Sequence, residues 1–227
     1  MKKNRKSSGF TVIELLIVII IISLVASIGT SAYQNQRAQV RYNDSIFKVL
    51  SMIKTARNYA VSSRPVFDTC ELPGEESYIP EEGYGLYIER SDDPGLSRFV
   101  LFANTETDDV IESNQFDEEV APCDSDLIEE EYFLPLDTVF VDLLTETSGP
   151  TIFDSNTNAD ENEAVFIFRP PLAETYIAAN DHPLTEANLT EPNELYLEFR
   201  RSGSDAAVPS KYIHMNRIAG FPEIENE

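Results

Sequence analysis

The stretch KSSGFTVIELLIVIIIISLVASIG, Lys6 to Gly29, sets one carboxylate, Glu14, near the start of an otherwise apolar run. From Phe10 to Ile28 the run is 19 residues long, about 28 Å of helix, enough to span most of a bilayer's hydrocarbon. Before it stand Lys2, Lys3, Arg5 and Lys6 with no acid among them, the flank expected on the cytoplasmic side. A cleaved secretory signal and a plain membrane anchor share this outline. The run is longer than the usual signal core, and cleavage at the small-x-small site near Ala32 would discard Glu14 to no purpose. A plain anchor explains the length and the basic leader. It leaves the charge unexplained, and a charge at a membrane helix centre costs about 2.5–3.5 kcal/mol.

Beyond the run the chain changes character. Between Tyr33 and Pro65 the basic residues Arg37, Arg41, Lys48, Lys54, Arg57 and Arg64 face Asp44 alone. From Val66 on there are 7 basic and 38 acidic residues, a net of −31 in a chain of −23. Such a body repels polyanions within about a Debye length, which argues against a nucleic-acid-binding face. It suits a surface facing salt or divalent cations, and a well-solvated exterior without any partner is the plainer explanation. Cys70 and Cys123 fit an exported protein with one disulfide; two unrelated thiols are the alternative.

After Tyr33 the helix is expected to continue to Arg64. Tyr42, Ile46, Val49, Ile53, Ala56 and Ala60 fall at spacings of three and four, and Leu50 widens the stripe. Pro65 biases Arg64 away from helix and closes the pattern. The stripe predicts an amphipathic half lying on a sheet, with the apolar half protruding. Strand periodicity then takes over at Tyr84–Glu89 and Ser97–Ala103, a hairpin about the Asp-Pro-Gly of RSDDPGL. Further strands are expected at Thr138–Leu144, Ala164–Arg169, Glu194–Arg200 and Lys211–Ile218. The acidic, Pro-, Asn- and Thr-rich stretches Glu106–Glu131, Asp154–Glu163 and Pro170–Asn193 are expected to be surface loops of a single head.

The residues SGFTVIELLIVIIIISLVASI resemble the N-terminal signature of type IV prepilins and of the pseudopilins of type II secretion: a basic leader ending in Gly, then Phe-Thr-x-x-Glu and an apolar run. The resemblance covers about the first 30 residues. It implies cutting between Gly9 and Phe10 by a membrane-embedded prepilin peptidase, which also methylates the new amino group of Phe10. Cutting makes a cationic amine with a reference pKa near 8. The Glu14 carboxylate of one subunit is then expected to pair with the Phe10 amine of its neighbour and set the register of stacked helices. Self-pairing within one chain is conceivable too, since the two positions are one turn apart, and Glu14 could instead complement its own helix N-terminus. Many pilins carry a Pro just past the run, where this chain has Gly29, Thr30 and Ser31, residues that can also weaken a helix.

The order of elements also resembles the H-class pseudopilins and related minor pilins: a long helix ending in ARNYAVSSRPV, an early YGLYI then FVLFA hairpin, and a closing RRSG…KYIHMNRIAGFPEI. In that class a final strand followed by Gly completes the chain. The acidic insertions lie outside the resemblance.

Three other chemistries have some footing in the residues. DSNTNADENEA alternates oxygen side chains at Asp154, Asn156, Asn158 and Asp160, as a Ca²⁺ loop does. Ala159 and Val165 stand where an EF-hand needs Gly and Glu, so a plain polar turn is favoured and no cofactor is expected. Arg200, Arg201, Lys211 and Arg217, with Tyr212 and His214 among them, form a small basic cluster; against the acidic body it is better explained as an edge strand kept soluble by charge than as a DNA site. The histidines His182 and His214 sit in no metal spacing, and no nucleophile or phosphate-loop motif occurs, so no enzyme is expected.

The expected fold is α+β and pilin-like, a long N-terminal helix packed on a mainly antiparallel β-sheet head. Its segments are a leader at 1–9, a transmembrane and filament-core helix at 10–32, an amphipathic helix at 33–65 and an acidic β-rich head at 66–227. The expected function is that of a structural pilin or pseudopilin subunit in the cytoplasmic (inner) membrane, single-pass, with its head outside the cytoplasm. Its partners would be other such subunits, the prepilin peptidase, the inner-membrane assembly ATPase and platform protein, and membrane lipid. The rival from another class is a membrane-anchored binding module that never polymerises.

Overall fold

The helical periodicity yields one helix, α1, Val12–Val61. The computed structural model describes residues 11–66, 77, 79–80, 83–91, 95–104, 127–144, 163–172, 174–179, 182–183, 194–202, 210–216 and 222–226, with the backbone alone at 28, 29, 31, 32, 142–144, 174, 178–179, 182–183, 194 and 226. Gly29, Thr30 and Ser31 do not interrupt α1. The Thr30 hydroxyl donates to the Ser27 carbonyl at 3.0 Å, which keeps its polar group inside the helix's own hydrogen bonding. At the far end Arg64 N–H bonds Tyr59 O and Ser63 N–H bonds Ala60 O, both at 3.0 Å, with Ser63 at φ 47°. That is a Schellman ending with serine in the left-handed position glycine usually fills. The helix therefore stops three residues before the expected Arg64.

By packing, the chain divides into two units, Met1–Val40 and Arg41–Glu227. Among the described residues of the second, ten strands follow: β1 Gly83–Glu89, β2 Arg98–Asn104, β3 Leu127–Phe133, β4 Thr138–Leu144, β5 Glu163–Arg169, β6 Glu174–Ala179, β7 His182–Pro183, β8 Glu194–Arg201, β9 Lys211–Asn216 and β10 Pro222–Asn226. They form two antiparallel sheets, ordered β3-β2-β1-β5-β6-β7 and β10-β9-β8-β4. The fold is α+β, as the sequence predicts. The expected β1–β2 hairpin forms with Glu89 opposite Arg98, and the Ser97 hydroxyl closes its turn by bonding both Ser91 N–H and Ser91 O.

Every residue of the predicted helical stripe is buried, from Tyr42 to Ala60. These side chains share one core with Tyr84, Leu86 and Ile88 of β1, Phe166 and Phe168 of β5, and Leu197, Ile213 and Met215 of the smaller sheet. Phe99 of β2 meets Phe140 of β4 and Phe199 of β8 at ring separations of 5.7 and 6.2 Å, so an aromatic trio joins the two sheets. The alternate residues Tyr87, Val100, Phe102, Val165 and Ile167 form a second cluster on the opposite face of the larger sheet. Burial on both faces explains why AVFIF reads as an unbroken apolar run rather than an alternation. In this face Phe102 lies over Gly85, its cross-strand partner, where any Cβ would collide with the ring.

Several expectations need correction. β3 falls within the stretch expected to be loop from Glu106 to Glu131, and β6 and β7 fall within Pro170–Asn193. The chain also ends on an additional strand, β10, which pairs with β9; so β9, expected at an edge, is interior to its sheet. β3 was illegible because its Glu129–Glu131 run satisfies no apolar pattern, and because a bulge breaks its register. Leu101 opposes Glu130 but Phe102 opposes Ile128, which leaves Glu129 as the extra residue.

Candidate functional site

The sequence places its chemistry at the start of α1. Leu15 N–H bonds Thr11 O at 3.3 Å, the first turn of the helix, so Thr11 is the N-cap. Its hydroxyl oxygen accepts from Glu14 N–H at 3.3 Å, while Glu14 Oε2 accepts from both the N–H and the hydroxyl of Thr11 at 2.9 Å. This is a reciprocal capping box. Its signal, Thr-x-x-Glu before an apolar run, is present in the sequence within the prepilin-like signature. Of the roles weighed for Glu14, complementing its own helix start is therefore visible in the single chain. The box uses Oε2; the other carboxylate oxygen takes no part in it.

Immediately after the cap, Val12, Ile13, Leu15 to Ile22, Leu24 and Val25 are all exposed around the whole helix circumference. Twelve such side chains, each worth about 1.5–3 kcal/mol on full burial, give a surface that water disfavours by well over 10 kcal/mol. Among the described residues no helix is long and apolar enough to cross a membrane. The described side chains of the run from Val12 end at Ser27, about 24 Å of helix against a hydrocarbon core of about 30 Å. The expected span also draws on Phe10 and Ile28, whose side chains lie outside the described residues.

The other predicted sites fall differently. Gly9, Phe10, Cys70, Cys123 and the oxygen ladder Asp154, Asn156, Asn158 and Asp160 lie outside the described residues. Among the described residues no group of three or more His, Cys, Asp or Glu is placed to hold a metal. The basic cluster is built into the head: Lys211 donates to Asn43 Oδ1 at 2.9 Å, and Arg200 bonds Glu198 at 3.0 Å. Glu198, largely buried, also accepts from the Ser210 hydroxyl at 2.5 Å. His214 stacks on Tyr196 at 4.7 Å and faces Glu225 at 3.4 Å. These contacts engage Arg200, Lys211 and His214 with neighbours in the head, while Arg217 lies outside the described residues.

What sequence reasoning missed is how the helix is fixed to the larger sheet's edge. At the bulge two consecutive carboxylates reach across, Glu130 to Lys48 of α1 and Glu129 to Arg64 just past the helix end, the latter at 3.0 Å. On the smaller sheet Tyr42 donates its hydroxyl to Phe199 O at 2.9 Å. Burial pushes the Tyr42 phenol up to about 12, against the counteracting backbone hydrogen bond from Lys211.

Residues 4–30 match the family model of that same helix start, described as the prokaryotic N-terminal methylation motif. The chain carries a prokaryotic N-terminal methylation motif. No curated protein and no solved structure matches the chain. The methylation motif supports a type IV pilin-like or pseudopilin family, whose members are structural. Its Thr11–Glu14 capping box and exposed apolar helix face are the described geometry within it.

Proposed function

We propose that this chain is a non-enzymatic structural subunit of a type IV pilus or a type II secretion pseudopilus. It is made as a single-pass inner-membrane precursor with its head outside the cytoplasm, cut between Gly9 and Phe10, and methylated on Phe10. Filament assembly then buries the exposed apolar face of α1 against neighbouring helices, with an inner-membrane assembly machinery supplying the work. The observation that carries this is the methylation motif at residues 4–30, joined to an α1 whose start is exposed and apolar all round. A subunit of this kind needs no metal or cofactor.

In the filament the Glu14 carboxylate meets the Phe10 amine of an adjacent copy. A capped Glu14 does not oppose this, because the capping box engages one carboxylate oxygen and a cation can approach the other. Cys70 and Cys123 are proposed as one disulfide. Each lies four residues from a described anchor, Val66 and Leu127, and those anchors adjoin the Arg64–Glu129 ion pair of 3.0 Å. Four extended residues reach about 13 Å, ample for the pairing.

Mass spectrometry of the N-terminus of mature protein tests the proposal. A chain beginning at methylated Phe10 is expected. A mature chain that retains Met1 and its leader overturns the filament subunit in favour of a tethered binding module.

A further inference from the structure

The smaller sheet ends on β10, five residues at its edge that pair with β9. A short strand held from one side opens more readily than the strands inside a sheet. Leu197, Ile213 and Met215 share a core with α1, so the alternate residues of β8, β9 and β10 face away from that core. On this outer face they form rows across the three strands. Tyr196, His214 and Glu223 make one row, and Glu198, Tyr212 and Glu225 make the next. On the other side of the first row Glu194 stands opposite Asn216. His214 stacks on Tyr196, with ring centroids 4.7 Å apart and planes 14° from parallel. Its Nδ1 lies 3.4 Å from a carboxylate oxygen of Glu225. Glu198 is engaged by Arg200 at 3.0 Å and by the Ser210 hydroxyl, and Asp142 of β4 stands opposite it. The carboxylates that reach His214 therefore come from β10.

That arrangement couples a proton to a strand. An imidazole has a charge to offer Glu223 and Glu225 only when protonated, and histidine is the side chain whose ordinary charge change falls between about pH 5 and 8. Burial of the ring opposes the charge. The Tyr196 face favours it whether or not β10 is paired. Glu223 and Glu225 favour it as well, and they stand beside the ring only while β10 is paired. Proton binding and strand pairing therefore strengthen each other. With the ring charged, an opposite-charge pair across two strands favours their pairing by up to about fivefold; with the ring neutral that contribution vanishes. The hold on β10 is thus full at acid pH and weakens as pH rises.

We propose that β10 is a proton-dependent clasp on β9. It is held while His214 is protonated and loosened when the imidazole is neutral, which uncovers the β9 edge and frees its N–H and C=O groups to pair with an added strand. The clasp is a property of the head and does not depend on the filament function proposed above.

The test follows hydrogen exchange of the full chain in detergent micelles at about pH 5.5 and about pH 7.5, with rates corrected for the intrinsic effect of pH. Protection of the amides of β10 is expected to fall at least about threefold at the higher pH, with β1 and β5 unchanged. His214→Gln should abolish the difference, and Glu225→Gln should reduce it. Equal protection of β10 at the two pH values in the unaltered protein overturns the proposal. So does a fall of the same size in His214→Gln, or an undiminished fall in Glu225→Gln. A fall that β1 and β5 share is a loosening of the whole head and overturns it too. Should His214→Gln fail to fold, Glu225→Gln carries the test, because its side chain is half exposed on the edge strand.

Discussion

In the proposed assembly Glu14 serves two stages. In the single chain it closes a capping box with Thr11, which satisfies donors at a helix start that has few other partners. The register role adds a charge requirement that capping does not have, and this separates the two. Glutamine at this position can still cap, because its side-chain oxygen accepts from Thr11 N–H, but it carries no charge. Glu14→Gln and Glu14→Ala are both expected to be cleaved normally and both to be lost from sheared filaments. Normal incorporation of Glu14→Gln alongside defective Glu14→Ala would reduce Glu14 to a cap. Tyr42 is the second informative residue. Its phenol is held neutral up to about 12, two units above its ordinary 10, chiefly by burial. Tyr87 is displaced upward as well, by burial and then by the Glu163 carboxylate to which it donates. A raised phenol stabilises the fold fully below pH 10, and that stability is lost as pH climbs through the folded value. Stability measured by urea unfolding is therefore expected to be flat from pH 8 to about 10 and to fall steeply from there towards about 12. In Tyr42→Phe the neutral-pH stability should drop by about 0.5–1.5 kcal/mol for the lost bond to Phe199 O, and the alkaline fall should become shallower.

At the scale of elements, α1 was the most legible feature because its period is local. Tyr42 through Ala60 announce a buried stripe that needs no knowledge of what covers it, and all of it is buried. Its ending was less legible. Pro65 signals a stop but not the left-handed Ser63 that completes the Schellman bonds. An L-residue there costs roughly 1 kcal/mol or more relative to glycine. Part of that is offset by the added freedom glycine gives the unfolded chain. Ser63→Gly should accordingly raise the unfolding free energy of the head by about 0.5 kcal/mol, read as a small upward shift in the denaturation midpoint at unchanged slope. The strands divide in the same manner. β1, β2, β4, β5, β8 and β9 announce themselves by β-branched and aromatic density. β3 does not, since its carboxylates answer to Lys48, Arg64 and Arg98 on other elements and its bulge destroys any period of two. β10 is two acids and an isoleucine leaning on β9, and nothing within its own five residues marks it as a strand. The ion pairs that seat β3 are partly solvated and contribute modestly, on the order of 0.2–1 kcal/mol each; their service is to choose which edge α1 lies along.

For the whole molecule, the acidity of the head makes covalent closure valuable, because self-repulsion within a body of −31 opposes compaction. A Cys70–Cys123 bridge would close a loop of about 50 residues and contribute roughly 3–4 kcal/mol through the unfolded chain. Thiol titration of unfolded, unreduced protein is expected to find no free thiol, and reduction should lower stability by about that amount. Two free thiols in protein purified under oxidising conditions would remove the bridge. The sequence by itself determined the N-terminal methylation motif, the long helix with its apolar and amphipathic halves, and the α+β class. Each of these is written in near neighbours: a charge flank, a four-residue motif, a period of three to four, runs of strand-forming residues. Only the tertiary structure decided that β3, β6, β7 and β10 exist and that β9 is interior. Those features are fixed by contacts between residues tens to more than a hundred positions apart, such as Tyr42 with Phe199, and no local pattern carries the identity of a distant partner.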